Sequence, residues 1–281
     1  MITINIGIIG LGYVGRACES VFSNFFNTLT FDINGSGTEN SLKELVQKVD
    51  IVFICVPTPM NDDGSCNLNI VEKVLSDIND YKHNVCVIKS TIPPGSSSIY
   101  EKKFKNLKIY FNPEFLTEAN FIEDFKNQNQ IIVGSSDTNF DLIDKIYELS
   151  LPKAKLIKCS FEEAEMVKYF INAFLAVKVS YANELFNLCD KMNIDYDKVS
   201  RIAQYDDRLG NSHFKVPGPD GKFGFGGSCF PKDINSLIDI FSKKDVKSYI
   251  LNAAWNRNIN EDRIDRDWEK LIGRAVVKND E

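Results

Sequence analysis

Ile4-Asn5-Ile6-Gly7-Ile8-Ile9-Gly10-Leu11-Gly12-Tyr13-Val14-Gly15 is the stretch that decides how this chain folds. Its first six residues read as a β-strand, and the start at Met1 has no basic region, which argues against a signal peptide. The glycines then follow as G-x-G-x-x-G, and Arg16 to Phe26 continues as a helix-like stretch. Between a strand and a helix that spacing carries a mechanism. Gly10 makes the tight turn, Gly12 lets a pyrophosphate approach the backbone, and Gly15 permits close helix–strand packing, with Tyr13 and Val14 on the same turn. A second strand, Thr28–Asp32, ends in an acid 22 residues after Gly10. A carboxylate there holds both ribose hydroxyls of NAD and repels the 2′-phosphate of NADP. The expectation is a dinucleotide fold with NAD as its cofactor.

Strand and helix signals go on alternating downstream. Asp50–Val56 reads as a buried strand closing on Pro57-Thr58-Pro59, which puts Val56 and Thr58 on a carboxyl-end loop, where open α/β sheets bind ligands. Asn61–Gly64 is a turn, Asn69–Tyr81 a helix, and Val85–Ser90 a strand ending at Thr91–Gly95. Leu107–Asn112 and Ile131–Gly134 are strands, and Asn139–Leu149 a helix. This alternation implies a parallel sheet. Glu114 and Glu118 follow a strand end at i, i+4; on a helix they share a face and can bracket a substrate or activate a water, the plainer reading being a solvated face.

Ser160–Glu163 is a capping box opening a long helix, Phe161 to about Met192. Val167, Phe170, Ile171, Phe174, Leu175 and Val179 form a stripe expected to be buried. A helix of ~30 residues spans ~45 Å, enough to link two domains or form a subunit interface. On it Lys168 and Asn172 stand four apart; an amine and an amide together polarise an oxygen or stabilise an oxyanion, or else both are simply solvated. The expected fold class is therefore α/β: a Rossmann-type parallel sheet over residues 1–158, then a helical central domain built on one long helix over residues 159–281. Asp195–Gln204 reads as a helix, and the loop from Asp206 carries Arg208, either an anion or hydroxyl ligand or a surface arginine. The loop runs through Val216–Gly221 into Gly224-Phe225-Gly226-Gly227-Ser228-Cys229-Phe230-Pro231-Lys232-Asp233. Pro231 suits a first helical turn, so Cys229 falls at a helix N-terminus beside Lys232, where a thiolate is favoured, with Asp233 one turn on to manage protons or water; the plainer reading is a structural cysteine. Val246–Asn258 reads as a last helix.

The chain has 281 residues, 43% hydrophobic and 26% charged, enough for one large or two ordinary domains. A net charge of −6 argues against a nucleic-acid surface. No stretch reaches the ~18 apolar residues of a membrane span. Cys18, Cys55, Cys66, Cys86, Cys159, Cys189 and Cys229 are odd in number and lack C-x-x-C spacing, a pattern of reduced thiols in the cytoplasm. With only His83 and His213, no zinc or other metal site is expected.

Taken together, GLGYVG (10–15), CVPTP (55–59), STIPPGS (90–96), NPEFLTEANF (112–121), KYFINAFLAVKVSYANE (168–184) and GFGGSCFPKD (224–233) resemble, in order and spacing, the UDP-glucose 6-dehydrogenase family. The resemblance covers roughly residues 1–245 and implies oxidation of the C6 alcohol of a nucleotide-sugar to a carboxylate with two NAD+ per turnover. It further implies that Cys229 captures the C6 aldehyde as a thiohemiacetal that becomes a thioester. Lys168 and Asn172 resemble the pair that assists proton transfer and stabilises the oxyanion. Asp233 and Thr91 resemble the groups of the water and proton relay, Thr91 also meeting cofactor. Glu114 looks like the acid of thioester hydrolysis, and Glu118 like a neighbour of cofactor and substrate. Phe115, Leu116, Phe225 and Gly226 are similar to substrate-lining positions, Lys232 to a cofactor contact, and Arg208 to an arginine that reaches a sugar across a dimer interface. A homodimer through the long helix follows from the same resemblance, with UDP-glucose the substrate that GFGGSCFPKD resembles most.

Full-length members carry a third domain for the nucleotide. Leu271–Val277 resembles the start of its first strand, so either a short form or a fragment is expected, with a partner chain as one source of the missing site. Two other readings stay open: a two-electron dehydrogenase of a small hydroxy acid, which needs no cysteine, and a non-catalytic NAD-binding dimerisation module.

Overall fold

A computed structural model describes residues 4–81 and 85–277. The expectations at Met1–Thr3, at His83 and over the last four residues lie outside the described residues. The chain divides into two compact units, Met1–Thr58 with Leu68–Lys168, and Pro59–Asn67 with Tyr169–Glu281. No helix among the described residues is long and apolar enough to cross a membrane.

The first unit alternates strand and helix: β1 (Asn5–Ile9), α1 (Tyr13–Phe22), β2 (Asn27–Phe31), α2 (Leu42–Lys48), β3 (Ile51–Ile54), α3 (Asn69–Asp80) and β4 (Val85–Ile88). It continues with α4 (Ser96–Lys103), β5 (Lys108–Phe111), α5 (Phe121–Lys126), β6 (Gln130–Gly134), α6 (Asp141–Ser150), β7 (Lys155–Cys159) and the opening of α7 (Phe161–Lys191). The strands form one seven-stranded sheet, β2-β1-β3-β4-β5-β6-β7. Every neighbouring pair is parallel except β5 with β6. Period-two alternation sorts the side chains into two cores: Ile6, Ile8, Phe53 and Val87 on one face, Ile9, Val52, Ile54 and Ile88 on the other. Both faces are buried, which is why the strands read as continuous apolar runs. The chain leaves β1 for β2 on one side and returns to β3 on the other; at that switch point the carboxyl ends open a crevice for a ligand.

Several boundaries move from the sequence expectation. Helix α1 starts at Tyr13 and stops at Phe22, where Asn24 Nδ2 bonds the Ser20 and Val21 carbonyls. α2, α4 and β7 were not expected from the sequence: α2 is opened by Ser41 Oγ accepting from Glu44 N, and β7 is a half-exposed edge strand. Glu114 and Glu118 do not share a helix face. Residues 112–117 are irregular, Glu118 sits in a turn, and α5 begins only at Phe121, with Thr117 N and Oγ1 both held by Asp124 Oδ2.

The second unit comprises the rest of α7, α8 (Tyr196–Ala203), α9 (Phe230–Lys243) and α10 (Tyr249–Arg257), which runs into a π-helical turn, Asn258–Asp262. The capping box at the start of α7 is made as expected: Ser160 N donates to Glu163 Oε2 and Glu163 N to Ser160 Oγ. The expected buried stripe is corrected. Phe170 is 69% and Phe174 58% exposed, because Tyr169, Ala173 and Ala176 are the α7 residues that pack against Leu237, Ile234 and Phe225. Leu271–Val277 belongs to the second unit. It folds back on the segment at Met60, with Met60 N bonded to the Ala275 carbonyl and Val277 N to the Met60 carbonyl.

Candidate active site

In the first unit, the turn after β1 has the form its glycines require. Gly10 sits at φ +90°, and a Cβ there would lie 2.8 Å from the Cys55 carbonyl oxygen. A Cβ on Gly15 would meet the Gly10 carbonyl oxygen at 1.9 Å, so Gly15 brings α1 hard against the turn. Over Gly12 nothing lies within 4 Å; that open backbone, at the N-terminus of α1, is the cradle a pyrophosphate needs. Asp32, just past β2, accepts from Leu11 N at 2.6 Å and Asn34 N at 2.9 Å, so its carboxylate is fixed beside the turn. Val56 is half-buried and Thr58 buried past β3, and Ser90 Oγ ties the Val56 carbonyl to the end of β4 at 2.7 Å, next to buried Thr91. Parallel pairing places all these groups on one edge of the sheet. The residues fit a dinucleotide.

The same edge carries Glu114, past β5. Its carboxylate is buried and accepts from Lys168 Nζ at 2.9 Å, while Lys168 Nζ also bonds the Glu114 carbonyl at 2.5 Å and stands 5.3 Å over the Phe115 ring. Burial pushes this carboxyl up, but the Lys168 ammonium, the Leu116 N–H and the more distant Lys89 outweigh it and hold the group below its ordinary value. Glu114 is thus ionised through the neutral range, and neither partner is a solvated surface group. Phe115 and Leu116 are half-buried beside it, as is Glu118 in its turn. Beneath this loop, Lys89 Nζ donates to Asn112 Oδ1 at 2.8 Å, and Asn112 Nδ2 to the Ile132 carbonyl at 2.7 Å. Tyr147 OH also donates to Asn112 Oδ1, which leaves Asn112 fully engaged just ahead of Pro113-Glu114.

In the second unit, Cys229 is the N-cap residue of α9, and its carbonyl accepts from Asp233 N at 3.0 Å, with Pro231 in the first turn. Asp233 is buried and uses both oxygens: Asn172 Nδ2 donates to Oδ2 at 2.6 Å and Lys232 Nζ to Oδ1. Burial pulls Lys232 down, but the charges of Asp233, Cys229 and Cys66 act more strongly and push it up, so the ammonium stays charged. Cys229 therefore has a helix N-terminus and a cation beside it, the surroundings that stabilise a thiolate. Ser228 Oγ lies 3.8 Å from its sulfur.

The glycine loop ahead of Cys229 is braced from three sides. Gly224, at φ +65°, donates from N to Asn183 Oδ1 at 3.2 Å. Asn258 pairs with both backbone groups of Phe225, accepting at 2.8 Å and donating at 2.9 Å. Gly226 lies against Arg263, whose Cζ would be 2.5 Å from a Cβ there. Phe225 is itself core, its ring packed on Trp255 and Phe230 and its backbone held by Asn258. Arg208 stands apart from these groups: it is on a short 3-10 turn, its side chain 89% exposed and paired with Asp206.

The sequence motifs thus converge in two clusters, Glu114 with Lys168 in the first unit and Asn172, Cys229, Lys232 and Asp233 in the second. Lys89, Asn258 and Arg263 were missed. Lys89 and Asn183 lie in or next to quoted motifs, whereas Asn258 and Arg263 had no signal at all.

Comparison with known proteins identifies the family. The domain described as UDP-glucose/GDP-mannose dehydrogenase family, NAD binding domain, matches residues 36–150, and the central domain of the same family matches residues 162–261. The chain is similar to the UDP-glucose 6-dehydrogenase of Rickettsia bellii, 37% identical over 224 residues that cover 76% of this chain and 50% of that protein. It is 34% identical over 294 residues to the UDP-glucose 6-dehydrogenase TuaD of Bacillus subtilis, covering 90% and 62% respectively. The solved UDP-glucose dehydrogenase of Pyrobaculum islandicum superposes with a TM-score of 0.81 at 27% identity, covering 90% of this chain and 67% of that one. The chain thus spans 50% and 62% of the length of the two curated relatives. With both domains matched in order along it, the chain belongs to the UDP-glucose/GDP-mannose dehydrogenase family of NAD-dependent oxidoreductases.

Proposed function

We propose that the chain oxidises the C6 alcohol of a nucleotide-sugar, UDP-glucose above all, to the carboxylate, with two NAD+ per turnover. The observation that carries this is Cys229 at the N-terminus of α9, with Lys232, Asp233 and Asn172 arranged behind it. NAD+ held by the Gly10–Gly15 turn and Asp32 supplies the two-electron acceptor for both oxidations. Cys229 Sγ adds to the C6 aldehyde carbon as the thiol proton passes to the aldehyde oxygen, and the resulting thiohemiacetal becomes a thioester in the second oxidation, which removes a hydride from C6 and the hydroxyl proton. Lys168 and Asn172 assist proton transfer and stabilise the oxyanion. Asp233 and Thr91 order the water, and Glu114, ionised beside Lys168, takes its proton as the thioester is cleaved to carboxylate and free thiol. Phe115, Leu116, Glu118 and Gly226 line the sugar side, and Lys232 supports the cofactor side. The family motifs support these roles. A homodimer through α7, with Arg208 reaching the sugar of the second copy, completes the proposal.

NADH production with UDP-glucose, beside Cys229→Ser, tests it. Two NADH per sugar in the parent and at most slow aldehyde formation in Cys229→Ser are expected. NAD+ binding without turnover on any nucleotide-sugar overturns the reading for the isolated chain and favours a binding module that works with a partner. Full activity in Cys229→Ala overturns the covalent route and favours two-electron chemistry.

A further inference from the structure

Residues beyond α10 are wrapped around the cysteine loop by contacts that the proposed chemistry does not use. Arg263 is 4% exposed, yet its guanidinium is a hub: Nη2 reaches Asp220 Oδ2 at 2.5 Å and Asp267 Oδ2 at 2.8 Å, and Nε reaches Asp267 Oδ1 at 2.8 Å. Nη1 bonds the Phe223 carbonyl at 3.4 Å, one residue before the glycine loop. The flat guanidinium occupies the room that a side chain on Gly226 would need. Its hydrogen bonds, with help from Lys222, hold the Asp267 carboxyl well below the usual carboxylate range, so the pair stays charged. Two further contacts follow along the segment. Buried Trp268 lies 5.5 Å from Trp255, which lies 6.2 Å from Phe225, and Arg274 Nη2 reaches Ser228 Oγ at 3.4 Å, next to Cys229.

We infer that residues 263–274 form a clasp on the glycine loop and that Arg263 is a positioning residue for Cys229, fixing its sulfur at the N-terminus of α9. The planar fork matters as much as the charge. Only a guanidinium meets two carboxylates and a carbonyl while lying flat on Gly226. The inference rests on the proposed role of Cys229, but its test reads the sulfur's reactivity and needs no turnover, so absence of NADH production and failure of the clasp are told apart.

The experiment is alkylation of the full chain by iodoacetamide, followed by peptide mass spectrometry at Cys229 and, as an internal reference, at half-buried Cys189. A displaced loop takes the sulfur away from the helix terminus. Arg263→Leu is therefore expected to slow Cys229 alkylation at neutral pH about tenfold and to move the midpoint of its pH profile upward, with Cys189 unchanged. Arg263→Lys recovers little of that loss, since an ammonium cannot form the fork. General loosening would instead speed both cysteines, and that result, or a wild-type profile at Cys229, overturns the inference. NAD+ binding reports folding of the nucleotide unit. Should Arg263→Leu not fold, Asp220→Asn decides: a smaller shift in the same direction, about two- to threefold, supports the clasp, and a wild-type profile overturns it.

Discussion

Glu165 has no exposed surface, and its carboxylate ends on two backbone N–H groups, Gly95 N at 2.5 Å and Ser97 N at 2.8 Å, at the first turn of α4. Burial raises this group to about 7, the two N–H bonds only partly offsetting it. A carboxyl whose folded value lies above its unfolded value of 4.5 contributes stability that is full below pH 4.5 and is lost as pH rises through about 7. Unfolding free energy measured against pH should therefore fall in wild type relative to Glu165→Gln by on the order of 3 kcal/mol across that window. A constant difference between the two proteins would show that Glu165 does not titrate there. No sequence signal marks this residue, because its partner at Gly95 is 70 positions away. Gly10, Gly12, Gly15 and Asp32 were legible because the strand–turn–helix–strand spacing that carries them is a local pattern, even though Gly10 packs on Cys55 and Asp32 accepts from Leu11 N. Lys168 and Asn172 lie between, legible as a spacing but not as two groups committed to Glu114 and Asp233.

At the scale of elements, α7 was the clearest reading and also the one most in need of correction. Its start, capping box and length follow from local sequence, but which face is buried depends on α9 and α10, whose packing on Ala173 and Ala176 no periodicity reveals. The consequence is an outward row of Phe170, Phe174, Tyr181 and Leu188, each more than half exposed. Exposed rings at helical spacing mark an interaction surface, and the proposed dimer buries them against a second copy. Phe170→Glu with Phe174→Glu is expected to give a monomer by light scattering without loss of NAD+ binding, while wild type gives a dimer. A monomeric wild type, or a dimeric double variant, removes α7 from the interface. Element α4 was illegible because its start is fixed by Glu165, 70 positions from Gly95, rather than by an apolar stripe, whereas α2, with its Ser41–Glu44 cap and buried Leu45 and Val46, was missed only for its shortness.

For the whole molecule, family and fold class were legible because six motifs recur in order. The chain passes between the units three times, after Thr58, after Asn67 and after Lys168, and the last crossing falls inside α7, which has neither glycine nor proline. An uninterrupted helix shared by two units is expected to make their unfolding one event, since melting either half would fray the other. Both tryptophans, Trp255 and Trp268, lie in the second unit, whereas the dinucleotide turn lies in the first. Tryptophan fluorescence is thus a remote reporter on cofactor binding. NAD+ at about a hundred times its dissociation constant adds about 2.7 kcal/mol to the unit that binds it. For a chain of this size that is roughly 5 °C in midpoint. If the units unfold together, the tryptophan transition moves up by that amount and coincides with the loss of helical circular dichroism. If NAD+ shifts the dichroism and leaves the tryptophan transition in place, the units melt independently and α7 does not couple them.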